Sequence, residues 1–398
     1  MKRYEAVNVW MSIPLVLLAA GCASLKQDTD PLASISTDSR TVSSGFFGES
    51  TNRVVKSAKA ALGFGLDEGL ARQLYQDALQ DYQAAAQVTG KDRRKRFLNA
   101  ADAFTKAANR WPSSSVEEDS LFHRAESYFF ADRYPKADDV FGQLLKKYPN
   151  TKYIDKVSQR RFQLAKYWLE HHQLNHDLAV LPNLTSRARP VFDRFGSAVK
   201  VLERIRLDDP TGELADDATM LAASSCFTDG RYHRADEFLS DLRRSFPSSK
   251  HQFKAHLLSL RVKMELYQGP SYDGDPLNEA EELIKQMRRQ FPQESREHDE
   301  FLAKAWKDVR MNRAIRTMNL ARYRDRRKEF RAARFQYDKV VRDFSDTSLA
   351  REAEDRLAQL GGAPDLPPQR LKWLARIFPA DTRERPLLAI SPSASTTR

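Results

Sequence analysis

The chain has 398 residues, of which 41% are apolar and 30% charged, and 65 Lys+Arg against 54 Asp+Glu give 65 − 54 = +11. That is enough apolar material for a substantial core, in one extended unit or two to three compact ones. Gly 15 and Pro 18 are too few for turn-dense β architectures or Gly-rich phosphate loops, and two cysteines exclude a disulfide framework and a Cys-rich zinc site, so helices are favoured.

In chain order, Lys2 and Arg3 precede an uncharged apolar run from Trp10 to Ala20, shorter than the roughly 20 residues of a spanning helix. The pattern predicts a secretory signal over residues 1–21. The run ends in Leu18-Ala19-Ala20-Gly21-Cys22, which resembles the bacterial lipobox. That resemblance implies cleavage before Cys22 and acylation of its thiol, and two or three acyl chains at ~0.8 kcal/mol per buried CH₂ make such an anchor effectively permanent. Ala23 and Ser24 follow in place of the Asp that marks inner-membrane retention in enterobacteria, so the same rule implies the outer membrane, periplasmic face. Loss of Lys2, Arg3 and Glu5 leaves 63 − 53 = +10. Residues 22–55, rich in Ser, Thr and Asp, read as the lipidated Cys and a flexible, disordered tether.

Residues 56–360 carry a repeat. Ala100, Ala137, Ala198, Ala235, Ala280 and Ala333 each open the same pattern. Four residues on stand Phe104, Phe141, Leu202, Leu239, Ile284 and Tyr337; seven on, Ala107, Leu144, Ile205, Leu242, Met287 and Val340. The blocks end in Trp111-Pro112, Tyr148-Pro149, Asp209-Pro210, Phe246-Pro247, Phe291-Pro292 and Phe344-Ser345. Offsets of 0, 4, 7 and 11 share one helical face, and proline cannot continue a helix. Each block is therefore an amphipathic helix with a hard stop, and Ser115-Val116-Glu117-Glu118 suits a capping box that opens the next one.

Counting back from Ala137 gives Leu121, Ala125 and Tyr128, which with Phe141, Leu144 and Pro149 resemble the tetratricopeptide pattern of large and small residues. Ala223 with Ala235, and Ala321 with Ala333, repeat the small pair that lets two helices approach. The alanines lie 37, 61, 37, 45 and 53 residues apart, against 34 in the simplest array. The excess falls in breaker-rich insertions at 173–193 and 268–276, between the helices of a pair. Isolated pairs cannot bury their apolar faces, so the expected fold is all-α, a tetratricopeptide-like superhelical solenoid of about six helix pairs. Its first helix spans about 67–88 and its last ends near Leu360. Residues 361–380 read as a linker and an amphipathic capping segment with Leu371, Trp373, Leu374, Ile377 and Phe378, and 381–398 as a disordered tail.

Lipobox, tether and pairs ending in aromatic-Pro together resemble the BamD family of lipoproteins of the outer-membrane β-barrel assembly machine. The closest text runs from Glu126-Ser127-Tyr128-Phe129 through Tyr134-Pro135-Lys136-Ala137 to Leu144-Leu145-Lys146-Lys147-Tyr148-Pro149-Asn150. The resemblance is strongest over 70–172, looser to about 250, and fades beyond; the family has about five repeats. It implies a non-enzymatic, lipid-anchored periplasmic scaffold that assists assembly and insertion of β-barrel proteins into the outer membrane. The implied partners are the other subunits of the assembly complex, unfolded outer-membrane protein segments and, through the anchor, the membrane. Nucleic acid is not among them, and no cofactor or metal is implied. On tetratricopeptide geometry the groove-facing positions of the best-matched helix are Asp119, Phe122, Glu126, Phe129 and Phe130, an aromatic surface suited to an extended peptide. The alternative is a tetratricopeptide lipoprotein coordinating cell-wall or exopolysaccharide-export machinery, with polyanions bound at 306–343, where ten Arg and three Lys face five acids.

No phosphate loop, metalloprotease helix or nucleophile elbow occurs. His171, His172 and His176 after Glu170 read as an exposed helix end rather than a metal site. Cys226, at the bulky interior position of its repeat, reads as a buried, inert thiol.

Overall fold

In the computed structural model, residues 65–174, 182–183 and 186–365 are described, with the helical residues Trp373 and Ile377 beyond them. The signal, lipobox and tether, His176, most of the capping segment and the tail lie outside the described residues. Those described form fourteen helices and no strand. They are α1 Glu68–Ala86, α2 Gly90–Arg110, α3 Ser115–Phe130, α4 Tyr134–Lys147 and α5 Ile154–Leu174. Then come α6 Arg194–Asp208, α7 Ala215–Thr228, α8 Tyr232–Ser245, α9 Gln252–Leu266 and α10 Asp275–Gln290. The short α11 Pro292–Glu297 leads into α12 Asp299–Arg326, α13 Phe330–Asp343 and α14 Ser348–Leu360.

The repeat explains this order. All six block alanines are fully buried, as are their partners at the fourth and seventh positions, from Phe104 and Ala107 to Tyr337 and Val340. Helices α2, α4, α6, α8, α10 and α13 stop one residue before Trp111, Tyr148, Asp209, Phe246, Phe291 and Phe344, which are their C-caps. Each is the second helix of a pair whose first members are α1, α3, α5, α7, α9 and α12, and α14 packs on the last pair. Helices touch chiefly their sequence neighbours, which makes the body a stack of pairs, a tetratricopeptide-like α-solenoid. The apolar core follows the stack, with its largest cluster running from Leu164 to Val262.

One local feature differs from the sequence expectation, and a second was not foreseen by it. The N-cap of α3 is Ser114, not Ser115: its hydroxyl accepts from the Glu117 N–H at 3.2 Å, and the Glu117 carboxylate accepts from the Ser113 N–H. Glu117 also receives Lys147 and the Tyr148 hydroxyl from the end of α4, at 2.6 and 2.8 Å. The cap thus doubles as a tie within the pair. Between α4 and α5, the space is filled by Arg161, 1% exposed. Its guanidinium donates to Asp138 at 2.9 Å and Asp208 at 2.5 Å, and Arg204 completes the group on Asp138 at 2.7 Å. That guanidinium lies over Gly142, where an added Cβ would meet Nη2 at 3.5 Å in ordinary contact.

Of the 173–193 and 268–276 stretches, 173–174 close α5 and 275–276 open α10, and the other described residues lie in the α5–α6 and α9–α10 connections. The first is tied down by the Trp168 indole, which donates to the Ala188 carbonyl at 2.9 Å. In the second, Arg316 of α12 donates to the Tyr272 carbonyl. Of the capping segment, Trp373 and Ile377 are exposed, at 57% and 60%.

Candidate functional site

The five expected groove residues lie on α3, the first helix of the second pair, with α1 and α5 as the first helices of its neighbours. They do come together, but two of them form the interface with α5 rather than an open wall. Phe122 is 5% exposed because the Tyr153 ring stacks flat on it, centroids 3.9 Å apart. Glu126 is 6% exposed and takes both arms of Arg160, at 2.6 and 2.9 Å. Asp119 is half-buried and accepts from the Tyr153 hydroxyl and from Lys152, both at 2.8 Å. An expectation that Phe122 and Glu126 line an open groove is therefore corrected: the next pair covers them.

Phe129 and Phe130 remain half-buried. Adjacent residues on a helix diverge, and these do: Phe130 stacks on Phe97 of α2 at 5.4 Å, while Phe129 meets Tyr134 at 5.2 Å. The Arg160 guanidinium nevertheless spans both, 4.9 and 5.0 Å from the ring centroids. One cation thus ties Glu126 and two phenyl rings. Beyond Phe129 the aromatic series continues through Tyr134 and Tyr167 to His171.

On the opposite flank, α1 contributes Tyr75 and Tyr82, which edge onto His123. His123 stacks on Phe104 and points Nδ1 at the Asp119 carbonyl, 2.8 Å away, so Nδ1 carries the hydrogen. Burial lowers the His123 pKa against the pull of Asp119 and Glu126, and burial with nearby carboxylates pushes Tyr75 and Tyr82 up to about 12. These groups form a packed aromatic strip edged by the exposed amines of Lys152 and Lys156. Such a strip can hold a peptide by contact and charge; no side chain in it is set up as an activated nucleophile beside a base. Tyr75, Tyr82, His123, Tyr153 and Arg160 escaped the sequence reading. For Tyr153 and Arg160 the signal was an offset of 34: Tyr153 follows Asp119 and Arg160 follows Glu126 by that interval.

Elsewhere, His172 is not an exposed helix end: its Nε2 lies 2.9 Å from Asp229 and its ring packs on Phe195. Among the described residues no group of His, Cys, Asp or Glu is placed to hold a metal ion. Cys226 is fully buried, and burial pushes its thiol up to about 11. In the basic stretch 306–343, Arg310, Arg313, Arg322, Arg324, Arg327 and Arg334 each reach a carboxylate. Much of that charge is spent within the stack.

Residues 192–360 match the family model YfiO, outer membrane lipoprotein, and residues 119–151 match a tetratricopeptide-repeat model. The lipoprotein match thus lies C-terminal to the 70–172 region where the resemblance reads strongest and extends through the pairs from α6 to α14. No curated protein matches the chain. A repeat match on α3–α4 and a lipoprotein match on α6–α14 together support a BamD-like tetratricopeptide-repeat lipoprotein.

Proposed function

We propose that this protein is anchored through Cys22 on the periplasmic face of the outer membrane and acts there as a scaffold for β-barrel assembly. It holds unfolded outer-membrane protein segments and the other subunits of the assembly complex, and it works by binding rather than catalysis. The observation that carries this reading is the lipoprotein family match over 192–360. The aromatic strip on α1, α3 and α5 supports it, with Phe129 and Phe130 half-buried and Lys156 exposed as the accessible edge for an extended client. The polyanion alternative loses its main support, because the arginines from Arg310 to Arg334 are largely paired with carboxylates.

In-cell cross-linking separates the two. With a photoreactive residue in place of Lys156, the scaffold reading predicts adducts with barrel precursors and the central barrel insertase. Recovery of cell-wall enzymes or glycans alone would sink it.

A further inference from the structure

The turns inside successive pairs lie along one edge of the stack. Arg94 at the start of α2 meets Asp132 of the α3–α4 turn at 2.6 Å, and His172 at the end of α5 meets Asp229 of the α7–α8 turn at 2.9 Å. The connections between pairs lie along the other edge, and there the exposed amines are paired: Lys147 with Glu117, Lys152 with Asp119 and Lys250 with Asp217. The first edge treats its cations differently. Helix α2 opens on Gly90-Lys91-Asp92-Arg93-Arg94-Lys95-Arg96, five cations against one acid. Only Arg94 of the five reaches a carboxylate; among the described residues, Lys91, Arg93, Lys95 and Arg96 meet none. Lys91, Lys95 and Arg96 are exposed, while Arg93 lies over the Phe97 and Phe130 rings, 5.4 and 5.7 Å from their centroids.

Helix α2 gains nothing from this charge. The start of an α-helix carries partial positive charge and favours acids, so cations there are mildly destabilising. Its N-cap, Thr89, makes no side-chain hydrogen bond to offset that. The next two connections along the same edge add Arg133 and Arg187, again without a carboxylate, and the two are neighbours: burial and the Arg187 charge lower the Arg133 pKa. The stretch 306–343 is the contrast, since Arg310, Arg322 and Arg334 there meet Asp346, Glu352 and Asp365. Exposed charge left unpaired at a place unfavourable to its own helix is available to a partner of opposite sign.

We propose that this edge docks the first pair on an anionic lipid surface, with Lys91, Lys95 and Arg96 against the phosphate heads. Charge complementarity and position select the occupant. Each basic residue near an anionic leaflet is worth about fivefold in surface partition, so the three exposed cations of α2 together supply about a hundredfold. In the scaffold reading the acyl chains on Cys22 hold the chain at a leaflet, and the first pair is the part of the stack nearest to them in sequence. The inference rests on that reading for the anchor alone and adds the face by which the stack meets the membrane. Docked in this way, the first edge faces lipid and the paired edge, with Glu117, Asp119 and Asp217, faces away from it.

The test uses the lipidated full-length protein inserted into preformed vesicles that carry a nitroxide on part of their headgroups. Cys22 is acylated in that form and Cys226 is fully buried, so one introduced cysteine takes a fluorophore: Gln87→Cys, exposed beside the α2 cations, or Asn150→Cys, exposed on the other edge. Sedimentation with the vesicles reports the anchor and quenching reports the docked edge, so the two readings fail separately. At position 87, quenching should rise about twofold or more when phosphatidylglycerol replaces part of the phosphatidylcholine. It should fall back in about 0.5 M salt, and position 150 should stay unchanged throughout. The triple change Lys91→Gln, Lys95→Gln and Arg96→Gln, all at exposed positions, should return position 87 to its phosphatidylcholine level without altering sedimentation; circular dichroism checks that the helices remain. If the chain does not sediment with neutral vesicles, the anchor reading falls, and quenching at position 87 by anionic vesicles still decides the edge. Equal quenching at position 87 with both lipids would overturn the proposal in favour of an acidic protein partner. A triple variant quenched like the parent, or position 150 quenched as strongly as position 87, would overturn it too.

Discussion

At the scale of single residues, the buried charges are where this sequence departs from simple patterning. Glu126 is 6% exposed and depends on Arg160. Arg160→Ala would strand a buried carboxylate and uncover Phe129 and Phe130, so a loss of about 3–5 kcal/mol is expected in chemical denaturation. The double change Glu126→Leu with Arg160→Met should recover most of it, because an apolar pair of similar volume removes the desolvation cost. Asp325 contributes pH dependence at the other end of the stack, where Glu329 and Asp346 are also held low by arginines. The hydrogen bonds from Arg356 hold the Asp325 pKa low against burial, with Tyr337 adding a third. A carboxylate with a depressed folded pKa contributes stability that is present above its unfolded value, about 3.9, and is lost as pH falls through the folded value. Asp325→Asn should therefore melt lower than the parent at neutral pH, and the gap should close below about pH 4; a gap that persists there would contradict the assignment.

At the scale of elements, one turn recurs. The α3–α4, α7–α8 and α12–α13 connections each place one residue at positive φ: Asp132 at 57°, Gly230 at 74° and Lys328 at 59°. In each, the following N–H returns to a carbonyl five residues back, Arg133 to Tyr128, Arg231 to Cys226 and Glu329 to Arg324. This is a helix C-terminal motif that glycine fits without strain, and a side chain there costs roughly 1–2 kcal/mol. Lys328→Gly should stabilise the last pair by about 0.5–1 kcal/mol, less than the full strain because glycine is freer in the unfolded chain. A raised melting temperature would support the shared turn, and an unchanged or lowered one would speak against it.

The elements were largely legible because each block states its own period and its own stop. The alanines, their partners at the fourth and seventh positions and the aromatic caps depend on contacts within one pair, which sequence spacing encodes directly. The site was less legible. Phe122 reads as a groove residue on α3 alone, and only the arrival of Tyr153 from the next pair buries it. Contacts between pairs depend on how neighbours stack, and here they left a trace only in the offset of 34 linking Asp119 to Tyr153 and Glu126 to Arg160. The charged stretch 306–343 misleads for the same reason, since its acids come from other helices, Glu281 from α10 and Glu352 from α14.

At the scale of the whole molecule, the described residues form a run of pairs that bury one another, and in the scaffold reading the role rests on surfaces held in series. No helix among the described residues is long and apolar enough to cross a membrane; the scaffold reading places the attachment at Cys22. The most direct measurement is depletion of the protein in its own cells, followed by pulse-chase of a β-barrel protein scored by the heat-modifiable migration of its folded form. The account predicts that barrels accumulate unfolded on depletion, that the parent gene restores folding, and that Cys22→Ser, released from the membrane fraction, restores it poorly. Barrel folding at the undepleted rate would contradict the central claim.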